Sequence, residues 1–397
     1  MERLIFHIDV NSAFLSWEAA RRVKEGLPDI RLIPSAIGGS ESDRRGIILA
    51  KSIPAKQYGV TTGEPVAMAL RKCPGLFLAR PDFELYRENS RAFMDICREY
   101  APVVSQVSID ECFCDMTGTG KLYPDPQKTA HEIKNRIKNE LGFTVNVGIG
   151  SNKLLAKMAS DFEKPDKVHT LFSDEVKSKM WPLPVNNLLY AGKATALKLS
   201  RIGVMTIGDL AKLDEHVLKV TLGEKMAKVM HDYANGIDDS PVESESAAPK
   251  GYSMETTLKE DVVTKDGALS ILLMLVDSVA ARMRAGNDKA GCIGVSIRSY
   301  DFRNRSHQKK LDNPTDVTDE IYEVVKELFV KLWDGVTPLR LLGVSLTDVS
   351  ADEFTQLSLF DDGKRERRRN LDRALDDIKN RYGRDSVYRA SYGHKKD

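Results

Sequence analysis

Apolar positions along this chain keep two periods, one close to two and one close to 3.6 residues, and segments of each kind alternate. RLIFHIDV, residues 3–10, reads as a buried strand. NSAFLSWEAARRVKEG follows as a helix, with Asn11 or Ser12 near its N-cap and Gly26 past its end. A polar, glycine-punctuated stretch holds one apolar run, GIILA, and a short helix near 64–72. Residues 82–100 then take helical spacing. PQKTAHEIKNRIKNELG predicts another long helix, FTVNVGIG a strand, and SNKLLAKMASDF a helix with Ser151 at its N-cap. The order implies an α+β layer of split β-α-β, ferredoxin-like type with its helices on one side.

After EKPDK the texture changes to short helices. PVNNLLYAGKATALKLSRIGVMTIGDLAKL contains helix, glycine turn, helix and a second turn. That pattern resembles helix-hairpin-helix modules, whose turn amides hold a nucleic-acid phosphate without reading bases. GIDDSPVESESAAPKG, residues 236–251, predicts a linker. A helix at 266–285, a strand from CIGVSIRSYDF, a helix at 316–333 and a strand LRLLGVSLTDV form a second small α/β unit. The tail from 351 ends in a basic helix, RERRRNLDRALDDIKNRYG.

One segment breaks the strand pattern. VSQVSIDECFCDM, residues 104–116, has β-branched and apolar residues around the adjacent acids Asp110 and Glu111. A continuous strand would send them to opposite faces. Two short strands joined by a tight turn put both at the tip, where like charges repel unless a cation lies between them. Asp9, at the end of the first strand, is expected at the same sheet edge. Three carboxylates with no His or Cys cluster favour a hard cation such as Mg²⁺. Two ions about 3.5–4 Å apart suit phosphoryl transfer.

Composition narrows the class. Length 397, 42% hydrophobic and 29% charged residues describe a globular protein of two to four domains. No run is long enough for a membrane-spanning helix, and the start is too short and too quickly acidic for a signal peptide. Five scattered cysteines argue against a disulfide framework or zinc knuckle and suit a reducing cytoplasm. Net charge is +1, so charge matters only locally: residues 282–310 carry eight Lys/Arg against two Asp, and 361–397 carry twelve against eight acids. Such runs are usually solvated surface.

FHIDVNSAFLS, SQVSIDECFCDM and VNVGIGSNKLLAKMASDFEKP together resemble the motif set of the Y-family DNA polymerases, closest to the polymerase IV branch, in matching order over most of residues 1–350. The resemblance implies a catalytic palm (1–10 and 75–165), small fingers (11–74), a helix-hairpin-helix thumb (166–240), a DNA-binding little finger (241–350) and a tail (351–397). It implies low-fidelity, template-directed addition of deoxynucleotides to a primer 3′-hydroxyl in translesion synthesis, with two Mg²⁺ and no proofreading, by a cytoplasmic monomer. Asp9 and Asp110 would bridge both ions, Glu111 would bind the ion activating the hydroxyl, and the Val10 carbonyl would complete the nucleotide-side metal. Phe14, five residues after Asp9, matches the steric gate against a ribose 2′-hydroxyl. Lys164 matches a triphosphate contact. Lys153 and Lys157 suit phosphate or DNA backbone, or plain surface exposure.

Some positions depart from the family pattern. Ile53 and Lys56 stand where a Tyr and an Arg are usual, so Lys56 keeps a charge without the bidentate fork, and Lys51 is placed to compensate. Ala13 replaces a bulkier neighbour of the gate. Tyr190-Ala191-Gly192 replaces Gly-x-Gly in the thumb turn, leaving Gly192 as the DNA-phosphate position. GVSIRSYDFRNRSHQKK, taken as one strand, exposes Arg298 with Arg303, Arg305, Lys309 or Lys310 on one side for DNA. Gln356, Leu357, Leu359 and Phe360 resemble a bacterial sliding-clamp-binding peptide, internal rather than terminal. The resemblance assigns no role to the basic helix beyond it, which is suited either to adding DNA affinity or to packing. A nucleotide cyclase, which shares a palm-like two-metal layer, and a catalytically silent DNA-binding scaffold are the competing classes. The hairpin turn, basic strand and clamp-like peptide oppose the first, and the intact acids oppose the second.

Overall fold

The computed structural model describes residues 3–39, 46–244, 248–351, 364–383 and 386–387. Its described residues form two compact units, one ending at 244 and one beginning at 248.

The first unit is built on a five-stranded sheet. Its spatial order is Val103–Gln106, Glu111–Asp115, Ile5–Val10, Val145–Gly150, Val168–Leu171, with only the last pair parallel. The first four strands, with helices Phe83–Tyr100 and Pro126–Leu141, give the expected ferredoxin-like β-α-β-β-α-β arrangement. Alternation along the central strand sorts its side chains. Phe6, Ile8 and Val10 join Phe93, Met94, Cys97, Ile133 and Ile137 from the two long helices in one dry core. Ile5 joins Phe113 and Ala156 on the opposite face.

Helices therefore lie on both faces, not one. The short helix Lys153–Ser160 covers the second face, and the reason is glycine. A Cβ at Gly148 would lie 2.0 Å from the Ala156 carbonyl oxygen, and one at Gly150 2.7 Å from the Ala156 nitrogen. Only bare backbone lets this helix come so close. Gly148→Ala is expected to cost several kcal/mol, at the upper end for single substitutions; urea unfolding with an unchanged midpoint would refute this. The N-cap of the helix is Asn152, which accepts from the Leu155 N–H, and not Ser151, whose hydroxyl lies 3.0 Å from that of Ser173.

Two smaller cores complete the unit. A three-stranded sheet, Ile48–Lys51, Ser35–Gly38 and Phe77–Ala79, packs Ala36, Ile48, Val60 and Val66 together. Short helices including Lys193–Ser200, Ile207–Lys212, Glu215–Leu222 and Glu224–Ala234 enclose Leu199, Ile207, Leu210, Leu218 and Met230.

The second unit is a four-stranded antiparallel sheet in the order Asn304–Thr315, Lys289–Ser299, Leu339–Ser350, Gly251–Val262. Helices Lys265–Ala285 and Thr318–Leu332 pack on it through Leu272, Val276, Ile293, Val295, Phe329 and Leu342. One expectation is corrected here, and one strand was not foreseen. The stretch read as one strand across 294–310 is a hairpin that turns after Ser299 and resumes at Asn304. Strand Gly251–Val262 begins where the linker was expected to end. It forms one edge of the sheet and is mostly solvated, so it lacks the apolar alternation that would have announced it.

The tail helix, Lys364–Tyr382, docks on this second unit by charge. The Arg284 guanidinium, with only 6% of its side chain exposed, donates to both carboxylate oxygens of Asp376 at 2.7 and 3.1 Å and to the Asp316 carbonyl at 2.9 Å. Asp372 accepts from the Thr318 N–H at 2.8 Å, placing an acid at the start of helix Thr318–Leu332, where the backbone dipole favours it. Arg369 pairs with Asp316 and Lys379 with Asp277.

Candidate active site

Asp9 and Glu111 are directly paired residues on neighbouring strands, so their side chains leave the same sheet face at the same level. Asp110 sits in the turn just before, and its carbonyl accepts from the Val10 N–H at 2.9 Å. The strand–turn–strand form inferred for residues 104–116 is the one observed, and it gathers all three acids at one edge.

Lysines answer their charge. Lys157 lies 2.7 Å from Glu111 and 3.5 Å from Asp9; Lys164 lies 2.8 Å from Asp9 and 2.9 Å from Asp161. Burial disfavours both ammonium groups, but the surrounding carboxylates outweigh it and raise both pKa values. His7 stands two residues before Asp9 on the same face. Its Nε2 is 3.4 Å from Glu111 and its Nδ1 2.8 Å from the Ser160 hydroxyl. Burial pushes the His7 pKa down. His7 and Lys157 together hold the Glu111 carboxyl at about 2, against the effect of burial, so it stays ionised at neutral pH.

The Asp110 carboxylate accepts from the Ser108 hydroxyl at 2.6 Å. The oxygens of the three acids do not all lie within 4.8 Å of one another; among the described residues only three cysteines meet that criterion. The donor set at the edge is nonetheless all oxygen and matches a hard divalent cation.

Phe14 leaves the first helix, Ala13–Lys24, immediately beyond this edge. Its ring stacks on Tyr86, with centroids 4.6 Å apart, and meets Trp17 edge-on at 5.9 Å. The gate candidate is thus braced by an aromatic wall. In the three-stranded part of the unit, Lys56 is exposed on helix Ile53–Gln57, and Ile53 beside it is exposed as well. Burial and the neighbouring Lys56 lower the pKa of Lys51, so this segment offers two cations in mutual repulsion.

Other expected contact residues fall elsewhere. Lys153 sits over the Phe113 ring and donates to the Pro241 carbonyl at 3.2 Å. Gly192 caps helix Lys193–Ser200 at φ −60°, a conformation open to any residue; the left-handed position of that turn is Tyr190, at φ +69°. In the second unit, Arg298 bonds to the Asn304 side chain at 2.7 Å, and Arg303 lies in the turn beside Asp301. Cross-strand pairing puts Arg298 and Lys310 on the sheet face away from the helices. Arg305 and Lys309 are paired with core residues Ile297 and Ile293 and so lie on the helix side, which splits the group expected on one side. Gln356, Leu357, Leu359 and Phe360 lie outside the described residues.

Comparison with known proteins decides the family. Residues 8–161 match the impB/mucB/samB family, residues 249–359 its C-terminal domain, and residues 191–238 a DNA polymerase-iota thumb domain. The chain is 44% identical to DNA polymerase IV of Clostridium acetobutylicum over 391 residues, 98% of each chain. It is 37% identical to DNA polymerase IV 1 of Bacillus subtilis, covering 96% of this chain and 91% of that one. The chain belongs to the Y-family DNA polymerases, in the polymerase IV branch. A Y-family DNA polymerase chimera of 21% identity shares the fold at a TM-score of 0.75 over 87% of this chain and 99% of its own. The polymerase has the family's α+β palm layer, a helical thumb and a separate sheet-rich C-terminal domain. Among its described residues no helix is long and apolar enough to cross a membrane. The sequence pattern alone missed His7 and Tyr86. The signal for His7 was its two-residue spacing from Asp9 on one strand face; Tyr86 had none beyond its place in a helix.

Proposed function

We propose that this polymerase performs template-directed, low-fidelity translesion synthesis, adding deoxynucleotides to a primer 3′-hydroxyl by a two-metal mechanism without proofreading. The observation that carries the reading is the pairing of Asp9 with Glu111 beside the Asp110 turn, with Lys157 and Lys164 neutralising the edge. A carboxylate edge that already collects positive charge suits Mg²⁺. Asp9 and Asp110 are assigned to both ions, Glu111 to the ion on the hydroxyl side, and the Val10 carbonyl to the ion on the nucleotide side. When bound, the ions would lower the pKa of the attacking hydroxyl and offset triphosphate charge.

The chain's own residues do the rest. Lys164 exchanges its hold on Asp9 for the triphosphate, helped by Lys56 and Lys51. Phe14, backed by Tyr86, occupies the space a 2′-hydroxyl needs. Lys153, the turn at Gly192, and Arg298 and Arg303 of the little finger contact primer–template backbone, an interaction that weakens with salt. Residues 1–10 and 75–165 are assigned to palm, 11–74 to fingers, 166–240 to thumb and 241–350 to little finger. Gln356, Leu357, Leu359 and Phe360 are assigned to the sliding clamp on their sequence motif, and the enzyme is read as a cytoplasmic monomer.

Primer extension with Mg²⁺ on undamaged and abasic templates tests the reading. Product is expected on both, lost on chelation and absent when one nucleotide is supplied without primer. Product without primer would instead support a cyclase. Phe14→Ala is expected to raise ribonucleotide insertion at least about tenfold, ~1.4 kcal/mol of lost discrimination; unchanged sugar selectivity in competition assays would remove the gate assignment.

A further inference from the structure

The strand that begins at Glu111 continues into Cys112 and Cys114, which share the face turned toward helix Phe83–Tyr100, and that helix contributes Cys97. Scattered in the sequence, these cysteines gave no reason to expect a metal site; the fold brings their sulfurs together. All three lie within 4.8 Å of one another, and the Cys112 and Cys114 sulfurs are 3.9 Å apart. Three thiolates bound to one trivalent arsenic by bonds of about 2.3 Å form a pyramid whose sulfurs lie about 3.4 Å apart. The Cys112 and Cys114 sulfurs therefore need to close by only about half an ångström, within reach of small side-chain torsions, to share a bound atom.

We propose that Cys97, Cys112 and Cys114 form a three-coordinate site for a thiophilic atom, and specifically for trivalent arsenic. Coordination and charge single out this ligand class. Among the described residues no fourth His, Cys, Asp or Glu joins the group, so a tetrahedral ion is left one protein ligand short. Each cysteine is at most 1% exposed, and the cross-strand neighbours of the pair on the central strand are Ile8 and Phe6. Three thiolates around a divalent ion leave a net negative charge in this dry core, which is costly. Around a trivalent atom they are neutral. Arsenous acid enters uncharged, and As(OH)₃ plus three Cys–SH gives As(S–Cys)₃ plus three water molecules. Three As–O and three S–H bonds are exchanged for three As–S and three O–H bonds, with no oxidation or reduction. Occupancy ties the strand carrying Glu111 to helix Phe83–Tyr100. Entry needs only a transient local opening of that contact.

The test incubates the full chain, reduced with a thiol-free reductant, with arsenite or with Zn²⁺, then removes free ligand by gel filtration. The expected result is one arsenic per chain by native mass spectrometry, added at the expense of three hydrogens. Three fewer titratable thiols and a raised melting temperature are expected to accompany it, while zinc is not retained. The variant carrying Cys73→Ala and Cys292→Ala should behave as the parent, and Cys97→Ala should lose the tight uptake. Loss of only two thiols, equal uptake by a folded Cys97→Ala variant, retention of zinc in place of arsenic, or no uptake at all would each overturn the proposal. Should Cys97→Ala not fold, the parent's thiol count and hydrogen count decide alone.

Discussion

Asp110→Ala is expected to lower primer extension at least about a thousandfold, ~4 kcal/mol of barrier, while leaving the melting temperature nearly unchanged. The asymmetry follows from what each acid holds. The Asp110 side chain rests on the Ser108 hydroxyl, and its structural contribution is a backbone carbonyl bonded to Val10, which alanine keeps. Removing Glu111 would instead leave the part-buried Lys157 without its nearest partner, mixing lost chemistry with lost stability. Asp110 is therefore the cleaner probe of the proposed metal edge. Extension by the folded variant at the parental rate would dismiss Asp110 from the chemistry and, with it, the shared-metal assignment.

Arg284→Ala is expected to destabilise the second unit by about 3–5 kcal/mol, the usual loss when one member of a buried ion pair is removed. The change leaves Asp372 and Asp376 facing a buried surface without the guanidinium that now bonds Asp376 twice. Faster hydrogen exchange across 364–383 should appear first, followed by an earlier urea midpoint. Replacing all three residues by apolar ones, Arg284→Met with Asp372→Leu and Asp376→Leu, is expected to recover most of the loss, since no charge is then orphaned. Unaltered exchange in Arg284→Ala would mean that the tail helix is held by something other than this network.

The tail shows why part of the molecule was illegible. Arg365, Arg369, Asp372, Asp376 and Lys379 recur at helical spacing, so the docking face is a regular stripe, but a polar one. Periodicity arguments look for apolar stripes. A basic helix with interspersed acids is indistinguishable in sequence from a solvated one until its partners, Arg284, Asp316 and Asp277, are known. The hairpin at 299–304 was missed for a related reason. Its second strand lies at a sheet edge and is nearly all polar, so nothing interrupts the pattern where the chain reverses.

The acidic edge lies at the other extreme. Asp9 at a strand end, the acid pair within an apolar run, and the alternation of Phe6, Ile8 and Val10 were enough to infer strand, turn and shared edge. These are local consequences of side-chain period and like-charge repulsion. The sequence by itself thus determined the family, the order of elements in the ferredoxin-like layer and the shared edge of Asp9, Asp110 and Glu111. Only the tertiary structure decided that Gly148 admits a helix against the second face of the sheet, that this helix carries Lys157 to Glu111, and that Cys97 of a separate helix meets Cys112 and Cys114. Such pairings depend on backbone approach distances between segments far apart in the chain, and no local pattern of hydrophobicity or charge encodes a distance.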